Sequence, residues 1–322
     1  MYTDSDRNED INPYNGHGDA LSRAGTEETS HPVPVGICGA GTMGAGIAEA
    51  FVVAGHPVTV FDVDGAAVER ALGSVAQSLA KLAARGHLEP GADEAALGRL
   101  TGTDDLAGLR EALVVVEDMG VKRDLFFRLE GLVAGGAVLA TNTSTLSVTE
   151  MAAGLEDPGR VVAAHFFNPA ARMKLVEVTP GLATRPEVVD QVHELLVGIG
   201  KTSVRVQESP GGIVSRLQLL VRNEAVRLVA EGVATATDVD TAMKIGSGWP
   251  MGPLELIDLV GVDVHVRNSE RLAREMGSNR YQPHPYLRPL VRGGRMGKKA
   301  GQGIYDYGTT LSGGSHGAPE LR

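Results

Sequence analysis

Cysteine is almost absent from this chain, and its scarcity excludes several kinds of protein. Cys38 is the single cysteine among 322 residues. An intramolecular disulfide and a cysteine-based metal cluster are therefore excluded, and no metal site is predicted. Cys38 falls in a predicted strand just before a run of glycines, so it is interpreted as a packing residue of the core rather than a redox centre.

Long hydrophobic runs and an excess of positive charge are also missing. No stretch approaches the roughly 20 uninterrupted apolar residues that a membrane span requires. The 30 lysines and arginines are outnumbered by 40 aspartates and glutamates, which gives a net charge of −10. Such a chain should repel nucleic acid, and an anionic cofactor must be held by local donors. The remaining composition, 43% hydrophobic and 22% charged, is typical of a protein with two folded domains.

Both ends of the chain are predicted to be flexible tails. Residues 1–31 are polar and acidic. They have neither the apolar core of a signal peptide nor the basic, acid-poor character of a mitochondrial leader. The sequence therefore predicts a disordered tail on a cytoplasmic protein, with a second flexible tail over residues 309–322.

A glycine-rich turn follows the first predicted strand. The spacing Gly-x-Gly-x-x-Gly is a dinucleotide fingerprint: the first glycine permits a tight turn, the second lets the backbone approach a pyrophosphate, and the third lets helix and strand pack closely. The N-terminus of the next helix then faces the phosphates. The predicted cofactor-binding residues of this turn are Gly39, Ala40, Gly41, Thr42, Met43 and Gly44.

An acid at the end of the second predicted strand completes this cofactor site. The strand over residues 58–61 leads into Asp62, at the distance expected for a carboxylate that binds the ribose hydroxyls of the adenosine half. Asp64 follows, and no nearby arginine is expected to take a 2′-phosphate, which favours NAD over NADP.

The next segment is a long amphipathic helix predicted from Asp64 to Arg85. Lys81 and Arg85 lie one turn apart on it. They are candidates to meet an anionic group of the substrate, but charges on a solvated helix face are the favoured interpretation of this pair.

A later predicted strand leads into a run of polar side chains at the ligand crevice. The strand over residues 138–141 leads into Asn142, Thr143, Ser144 and Thr145. Such residues lie in the crevice of an open α/β sheet, although one of them could instead cap the helix predicted near residues 147–153.

A histidine and a carboxylate are predicted on the next two strands. His165 and Asn168 end the strand that begins at residue 161, and Glu177 lies in the run over residues 175–178. A carboxylate on a neighbouring strand can fix the tautomer of a histidine and support its imidazolium. Removing a proton from an alcohol requires a base that titrates near neutrality, which suits histidine.

The character of the chain changes after residue 208. Strand patterns give way to helical patterns over residues 213–230, 238–245 and 253–260. The predicted fold is therefore α/β: a Rossmann-type, mostly parallel sheet domain (residues 32–208) followed by an all-helical C-terminal domain (residues 209–308), through which a homodimer is expected.

These motifs together resemble the 3-hydroxyacyl-CoA dehydrogenase family, including the bacterial 3-hydroxybutyryl-CoA dehydrogenases. The resemblance runs from about Pro34 to Tyr307. It rests on the stretches that read GAGTMGAGIA from Gly39, TNTS from Thr141, HFFNP from His165, MKLVEV from Met173 and GPLEL from Gly252, and on the late basic, glycine-rich loop with Lys299.

The resemblance implies NAD-linked interconversion of a 3-hydroxyacyl thioester and the 3-ketoacyl thioester. It makes His165 the base and Glu177 its orienting partner, while Ser144 would hydrogen-bond the reacting oxygen. Asn168 would help to seat nicotinamide and substrate. Lys122 and Lys299 match positions that contact the cofactor.

Two departures from the family pattern bear on the substrate. Gly212 and Ser215 stand where the family commonly has an aromatic residue and a substrate-supporting asparagine. Ser215 is therefore the candidate for that catalytic and substrate-binding position, with a shorter side chain. The segment after Glu117 is also shorter than usual and lacks a clear counterpart of a second family acid.

Four functions are compatible with the sequence. The first is a dehydrogenase of a short-chain 3-hydroxyacyl-CoA such as 3-hydroxybutyryl-CoA. The same chemistry on an acyl group carried by a carrier protein is the second, since both thioesters share the phosphopantetheine arm. A sugar-acid dehydrogenase is the third, and an NAD-binding structural or sensor protein without activity is the fourth.

Overall fold

The computed structural model describes residues 32–117, 123–143 and 146–308. Within these ranges the first part of the chain alternates strands with helices, and the second part is helical. The strands are β1 (Val35–Cys38), β2 (Val58–Phe61), β3 (Leu100–Thr103), β4 (Val114–Glu117), β5 (Val138–Thr141), β6 (Val161–Phe166), β7 (Leu175–Pro180) and β8 (Thr202–Arg205).

The helices of the described ranges divide between the two parts of the chain. Those that pack on the sheet are α1 (Thr42–Val53), α2 (Gly65–Ala84), α3 (Ala92–Leu97), α4 (Arg123–Glu130), α5 (Val148–Ala152) and α6 (Pro186–Gly198). Those of the helical part are α7 (Val214–Ala230), α8 (Ala236–Gly246), α9 (Pro253–Val260), α10 (Val262–Met276) and α11 (Leu287–Arg292).

The strands form one sheet in the order β3-β2-β1-β4-β5-β6-β7-β8. Neighbouring strands run parallel except β6 and β7, which are antiparallel. The chain moves outward from β1 in one direction through β2 and β3, and in the other from β4 to β8. This reversal opens a crevice at the carboxyl ends of β1 and β4, where ligands of open α/β sheets bind.

The sheet is covered on both faces by apolar side chains that alternate along each strand. One face packs against α1, α2, α3 and α6 around residues such as Ile37 and Val60. The other face packs against α4 and α5 around Phe61 and Leu139. The helical part has separate cores of its own, centred on residues such as Leu254 and Leu272.

The predicted fold class is confirmed: a Rossmann-type sheet domain precedes an all-helical one. The boundary predicted at residues 208 and 209 falls between β8 and α7. The long amphipathic helix is also as predicted, with the Asp64 side chain accepting a hydrogen bond from the N–H of Ala66 at its start. The helix predicted from residue 121 to 133 is shorter in the described part, where α4 ends at Glu130. The helical domain contains two helices that the sequence analysis missed, α10 and α11.

The termini lie outside the described residues, so the two predicted tails stay predictions. Within the described ranges, no helix combines the length and apolar character needed to cross a membrane.

Candidate active site

The glycine turn between β1 and α1 leaves open space beside Gly41 and no room for a side chain at Gly44. A Cβ on Gly44 would lie 1.8 Å from the backbone oxygen of Gly39, so this position cannot carry a side chain without moving the strand end. Gly39 itself has φ +112°, a backbone conformation that favours glycine. No side chain of the described residues caps α1. Its first N–H groups are therefore available to an anionic ligand, which fits the pyrophosphate of NAD.

Asp62 lies beside this turn, as predicted from its position after β2. Its Oδ2 accepts a hydrogen bond from the N–H of Ala40 at 2.9 Å, and its Oδ1 accepts one from the N–H of Asp64 at 3.1 Å. One arginine that the sequence pattern did not indicate lies near this acid: Arg70 on α2 reaches back to Asp64. Arg70 forms an exposed ion pair with Asp64 at 3.1 Å, so the preference for NAD rests on the carboxylate of Asp62 at the turn.

His165 and Glu177 are direct cross-strand partners in the antiparallel pair of β6 and β7. Their side chains lie on the same face of the sheet, with 3.2 Å between Nδ1 of His165 and Oε2 of Glu177. A carboxylate acceptor at Nδ1 places the ring proton there. It leaves Nε2 as the nitrogen that can accept a proton from a ligand. The prediction that a carboxylate on a neighbouring strand meets this histidine agrees with the geometry.

Glu177 is also bound to the first helix of the helical domain. Its Oε1 accepts hydrogen bonds from the N–H groups of Ile213 and Val214 at 3.1 and 2.9 Å. Burial opposes ionisation of this carboxyl. The hydrogen bonds from His165 and from the two backbone groups outweigh that effect and hold the pKa of Glu177 below its usual value. Glu177 is therefore an ionised acceptor that links the sheet domain to α7.

Gly212 makes this approach of α7 to Glu177 possible. It has φ +51°, and a Cβ on it would lie 2.6 Å from Oε2 of Glu177. Any larger residue in this backbone conformation would displace the carboxylate. The first departure from the family pattern thus has a local structural role in this chain.

A cavity of about 250 Å³ opens in front of the histidine–glutamate pair. Its floor is formed by alternate residues of β6 and β7, including His165, Glu177 and Thr179. Its other walls come from the β5–α5 segment, from the linker between β8 and α7, and from the end of α10. The cavity therefore lies between the two domains, beside the carboxyl ends of the central strands.

Glu208 is a second carboxylate of this cavity, and the sequence analysis treated it only as part of a break after β8. Its Oε1 accepts hydrogen bonds from the hydroxyl of Ser147 at 2.8 Å and the N–H of Thr149 at 2.9 Å. Its Oε2 accepts one from the hydroxyl of Thr149. Its place directly after an edge strand, ahead of a Pro-Gly turn, is the pattern that could have identified it.

The polar segment after β5 is described only in part. Asn142 accepts a hydrogen bond from the N–H of Phe166 at 2.8 Å and so joins the ends of β5 and β6. Thr143 lines the cavity. The suggested capping role belongs instead to Ser147, whose hydroxyl accepts from the N–H of Glu150 in α5. Ser144 lies outside the described residues, so its predicted role stays a prediction.

A second cleft, of about 390 Å³, is bordered by the β6–β7 connection. It is lined by α1, by α2 and by the loop that contains Asn168 and Arg172. Ser78 of α2 lies in its wall. Lys81 and Arg85 follow at helical spacing on the same side of α2, beyond the cleft. Both side chains are exposed, and Lys81 donates to Gln77 at 3.1 Å.

A buried lysine holds the loop between β6 and β7. The ammonium group of Lys201 donates to the backbone oxygens of Ala170, Ala171 and Met173 at 2.7, 3.2 and 2.9 Å. Burial lowers the pKa of Lys201, and the nearby carboxylate of Glu49 opposes that shift. The loop that carries Asn168 is thus fixed by a charge that no pattern in the sequence indicated.

The remaining predicted residues have other surroundings. Ser215 lies in the first turn of α7, directly after Val214, which contacts Glu177. Lys299 pairs with Asp263 at 2.5 Å, and in the described part of the chain no hydrogen bond joins it to the glycine turn. Its predicted contact with the cofactor therefore stays a prediction. Lys122 lies outside the described residues.

Comparison with known proteins assigns both domains. The model of the 3-hydroxyacyl-CoA dehydrogenase NAD-binding domain matches residues 34–209, and the model of the C-terminal domain of the same family matches residues 211–307. These matches agree with the glycine turn, the sheet order and the helical second domain. They define the protein as an oxidoreductase that uses NAD.

Individual relatives make the assignment more specific. A 3-hydroxybutyryl-CoA dehydrogenase of Clostridioides difficile is 39% identical over 84% of this chain and 98% of its own length. A 3-hydroxyadipyl-CoA dehydrogenase of Escherichia coli is 41% identical over 85% of this chain and 58% of its own length. The crystal structure of an (S)-3-hydroxybutyryl-CoA dehydrogenase from Ralstonia eutropha matches with a TM-score of 0.83 and 35% identity, covering 86% of this chain and all of that one. The chain belongs to the 3-hydroxyacyl-CoA dehydrogenase family.

Proposed function

We propose that this protein interconverts a short-chain 3-hydroxyacyl-CoA, such as 3-hydroxybutyryl-CoA, and the corresponding 3-ketoacyl-CoA. The observation that carries the proposal is the pairing of His165 with Glu177 at 3.2 Å on the floor of a cavity between the two domains. The family assignment supplies the reaction class, and the size of the cavity supports a short acyl group. Pockets for drug-sized ligands are larger, roughly 300–1,000 Å³.

The glycine turn and Asp62 would hold NAD, which would supply the acceptor for the hydride of substrate carbon 3. The protein supplies the base. Nε2 of His165 takes the proton of the 3-hydroxyl group, so the alcohol becomes a ketone and the imidazole becomes an imidazolium. The ionised Glu177 fixes the proton on Nδ1 before the reaction and stabilises the positive ring after it.

Other residues would bind and orient the substrate and cofactor. Ser144 would donate a hydrogen bond to the reacting oxygen, and Asn168 would seat the nicotinamide and the thioester. Ser215 would support the substrate where the family has an asparagine. Lys122 and Lys299 would contact the cofactor. For Lys299 this requires release from Asp263, with which it forms an exposed ion pair.

We further propose that the nucleotide end of coenzyme A lies along α2. The second cleft is lined by Ser78 and Arg172, and the helix face continues to Lys81 and Arg85. The net charge of the protein repels anions, so the phosphates of a coenzyme need local cations. Lys81 and Arg85 supply two of them at the end of this open cleft.

We also propose that the chain forms a homodimer through its helical domain. Several large apolar side chains of this domain are exposed, among them Leu217 at 59% and Leu259 at 51%. Exposed apolar residues of this kind favour a protein partner. Light scattering of the purified protein should give twice the mass of the chain, and a monomer at micromolar concentration would refute the proposal.

The test of function is a panel of substrates with NADH and NADPH. Acetoacetyl-CoA with NADH should be reduced, and NADPH should be at least about tenfold poorer because Asp62 would repel a 2′-phosphate. The relatives compared above are named for CoA thioesters and give no support to a carrier-bound thioester or a sugar acid. Rapid turnover of either of those substrates beside an inert acetoacetyl-CoA would refute the proposal. NAD binding without turnover of any of them would favour a structural protein.

A further inference from the structure

The cavity in front of His165 carries more acid than the proposed proton transfer uses. Three carboxylates line it: Glu177, Glu208 and Glu275. Among the described residues that line it, none is a lysine or arginine. Once Glu177 is matched by the imidazolium of His165, two negative charges stay without a cation in the cavity wall.

Glu208 is the better fixed of these two charges. It is fixed in the wall by the donors of Ser147 and Thr149, whereas Glu275 is exposed at the end of α10 and is screened by solvent. Burial disfavours ionisation of Glu208, but the hydrogen bonds from Thr149 and Ser147 outweigh it and hold its pKa below the usual value. The carboxylate is therefore ionised and immobile at neutral pH.

We infer that Glu208 determines the substrate class by excluding acyl groups that end in a carboxylate. This inference rests on the proposed function and deepens it: the substrates are short 3-hydroxyacyl thioesters with an uncharged tail. A tail that extends from carbon 3 into the cavity of about 250 Å³ has to come close to Glu208. A methyl or propyl end tolerates that position, while a second carboxylate meets an unmatched like charge.

The comparisons alone do not choose between these substrates. The C. difficile relative is named for 3-hydroxybutyryl-CoA and the E. coli relative for 3-hydroxyadipyl-CoA, and both are about equally similar to this chain. The first acyl group has an uncharged tail, and the second ends in a carboxylate. The acid content of the cavity favours the first.

The size of the effect follows from Coulomb's law. Two like charges about 6 Å apart, in surroundings of effective dielectric constant about 20, repel each other strongly enough to reduce kcat/KM by roughly 100-fold. Addition of salt should weaken this discrimination only partly, because the carboxylate lies in a cavity rather than on the surface.

The experiment compares two substrates of equal length. Oxidation of 3-hydroxyhexanoyl-CoA and of 3-hydroxyadipyl-CoA is followed with NAD, and the quantity measured is the ratio of their kcat/KM values. Because the two acyl chains have six carbons each, the ratio isolates the terminal charge from size. We expect a ratio of about 100 in favour of the hexanoyl substrate for the unmodified protein.

Glu208→Gln removes the charge and keeps an acceptor for Ser147 and Thr149. We expect the ratio to fall at least about tenfold, mainly through a higher kcat/KM for the adipyl substrate. Because both substrates are measured on the same variant, a general loss of activity cancels in the ratio. Glu270→Gln is the matched control. Glu270 lies elsewhere on α10 and pairs with Arg288 of α11, so this variant should keep the original ratio.

Two results would overturn this inference and leave the proposed function standing. A ratio within threefold of one for the unmodified protein would do so, and this measurement does not depend on how any variant folds. An unchanged ratio in a folded Glu208→Gln protein would do so as well. If hexanoyl, adipyl and 3-hydroxybutyryl thioesters all failed to react, the proposed function itself would be wrong, and this inference with it.

Discussion

Glu177 accepts hydrogen bonds at both of its carboxylate oxygens. Glutamine cannot do this, so Glu177→Gln is an informative change. One carboxylate oxygen accepts from His165, and the other accepts from the N–H groups of Ile213 and Val214. Glutamine offers one oxygen and one NH₂ group. If its oxygen faces α7, its NH₂ group faces Nδ1 and forces the imidazole proton onto Nε2. If the amide is turned round, its NH₂ group faces two backbone donors.

Either orientation has a cost of predictable size. In the first, His165 carries its proton on the nitrogen that should act as base, and the imidazolium loses its counter-charge. General-base catalysis contributes about 10²–10⁴-fold, so kcat/KM should fall at least about 100-fold. In the second, two buried donors lose their acceptor, at about 1–3 kcal/mol each. The free energy of unfolding should then fall by about 2 kcal/mol or more.

The assay measures NADH oxidation with acetoacetyl-CoA, together with NADH affinity by fluorescence and stability by urea unfolding. NADH affinity should change little, since the hydrogen bonds of Glu177 in the described part of the chain go to His165 and to the start of α7. Glu270→Gln, which removes a half-buried carboxylate from an ion pair with Arg288, serves as the control and should behave like the original protein. A folded Glu177→Gln protein that keeps kcat/KM within threefold of the original would refute the reasoning.

The same residue predicts how stability depends on pH. The pKa of Glu177 is lower in the folded protein than its ordinary value of 4.5, because its hydrogen bonds outweigh the effect of burial. Its stabilising contribution is therefore fully present above pH 4.5 and is lost as the pH falls through the lowered pKa. The free energy of unfolding of Glu177→Gln should fall less steeply than that of the original protein in this acidic range. Parallel curves for the two proteins would contradict the assignment.

Three further changes test other parts of the account. Gly212→Ala places a Cβ 2.6 Å from an oxygen of the histidine–glutamate pair and should lower kcat at least about tenfold. Gly86→Ala, at φ +70° with open space around it, is the matched control and should keep its activity. Lys201→Met leaves three loop carbonyls without their donor and should lower the free energy of unfolding by about 2–3 kcal/mol, with a higher KM for NADH; a loss below about 0.5 kcal/mol would contradict this. Lys81→Ala/Arg85→Ala should raise KM about fivefold for acetoacetyl-CoA but not for acetoacetyl-pantetheine, which lacks the nucleotide; equal effects on both thioesters would count against the proposed coenzyme cleft.

The elements of the sheet domain were predictable because each central strand and the turn before α1 have a local sequence pattern. Short apolar runs, each ended by a turn or a polar residue, mark its central strands, and glycine spacing marks the turn before α1. Helix α10, which the pattern in the second domain did not reveal, has a different explanation. The buried stripe of α10 includes His265 and Ser269 between apolar residues, so its helical period is not visible as hydrophobicity. Tertiary packing, not the local pattern, places these polar groups inside.

The pairing of His165 with Glu177 could be predicted because adjacent strands and a polar residue on each are visible in the chain. What holds the pair was not visible. Gly212 and the N-terminus of α7 reach Glu177 from more than 30 residues further along the chain. Lys201 and Glu208 act through contacts over similar or longer separations. Such long-range contacts leave no periodic pattern in the sequence.

His165→Gln removes the group on which the proposed reaction depends, the imidazole beside Glu177 that acts as base for a 3-hydroxyacyl thioester. The measurement is the rate of NADH oxidation with acetoacetyl-CoA, with His87→Gln, an exposed histidine on the surface, as control. The account predicts that His165→Gln binds NADH normally and loses at least about 100-fold in kcat, while His87→Gln stays fully active. A His165→Gln protein that reduces acetoacetyl-CoA at a rate close to the original would contradict the account.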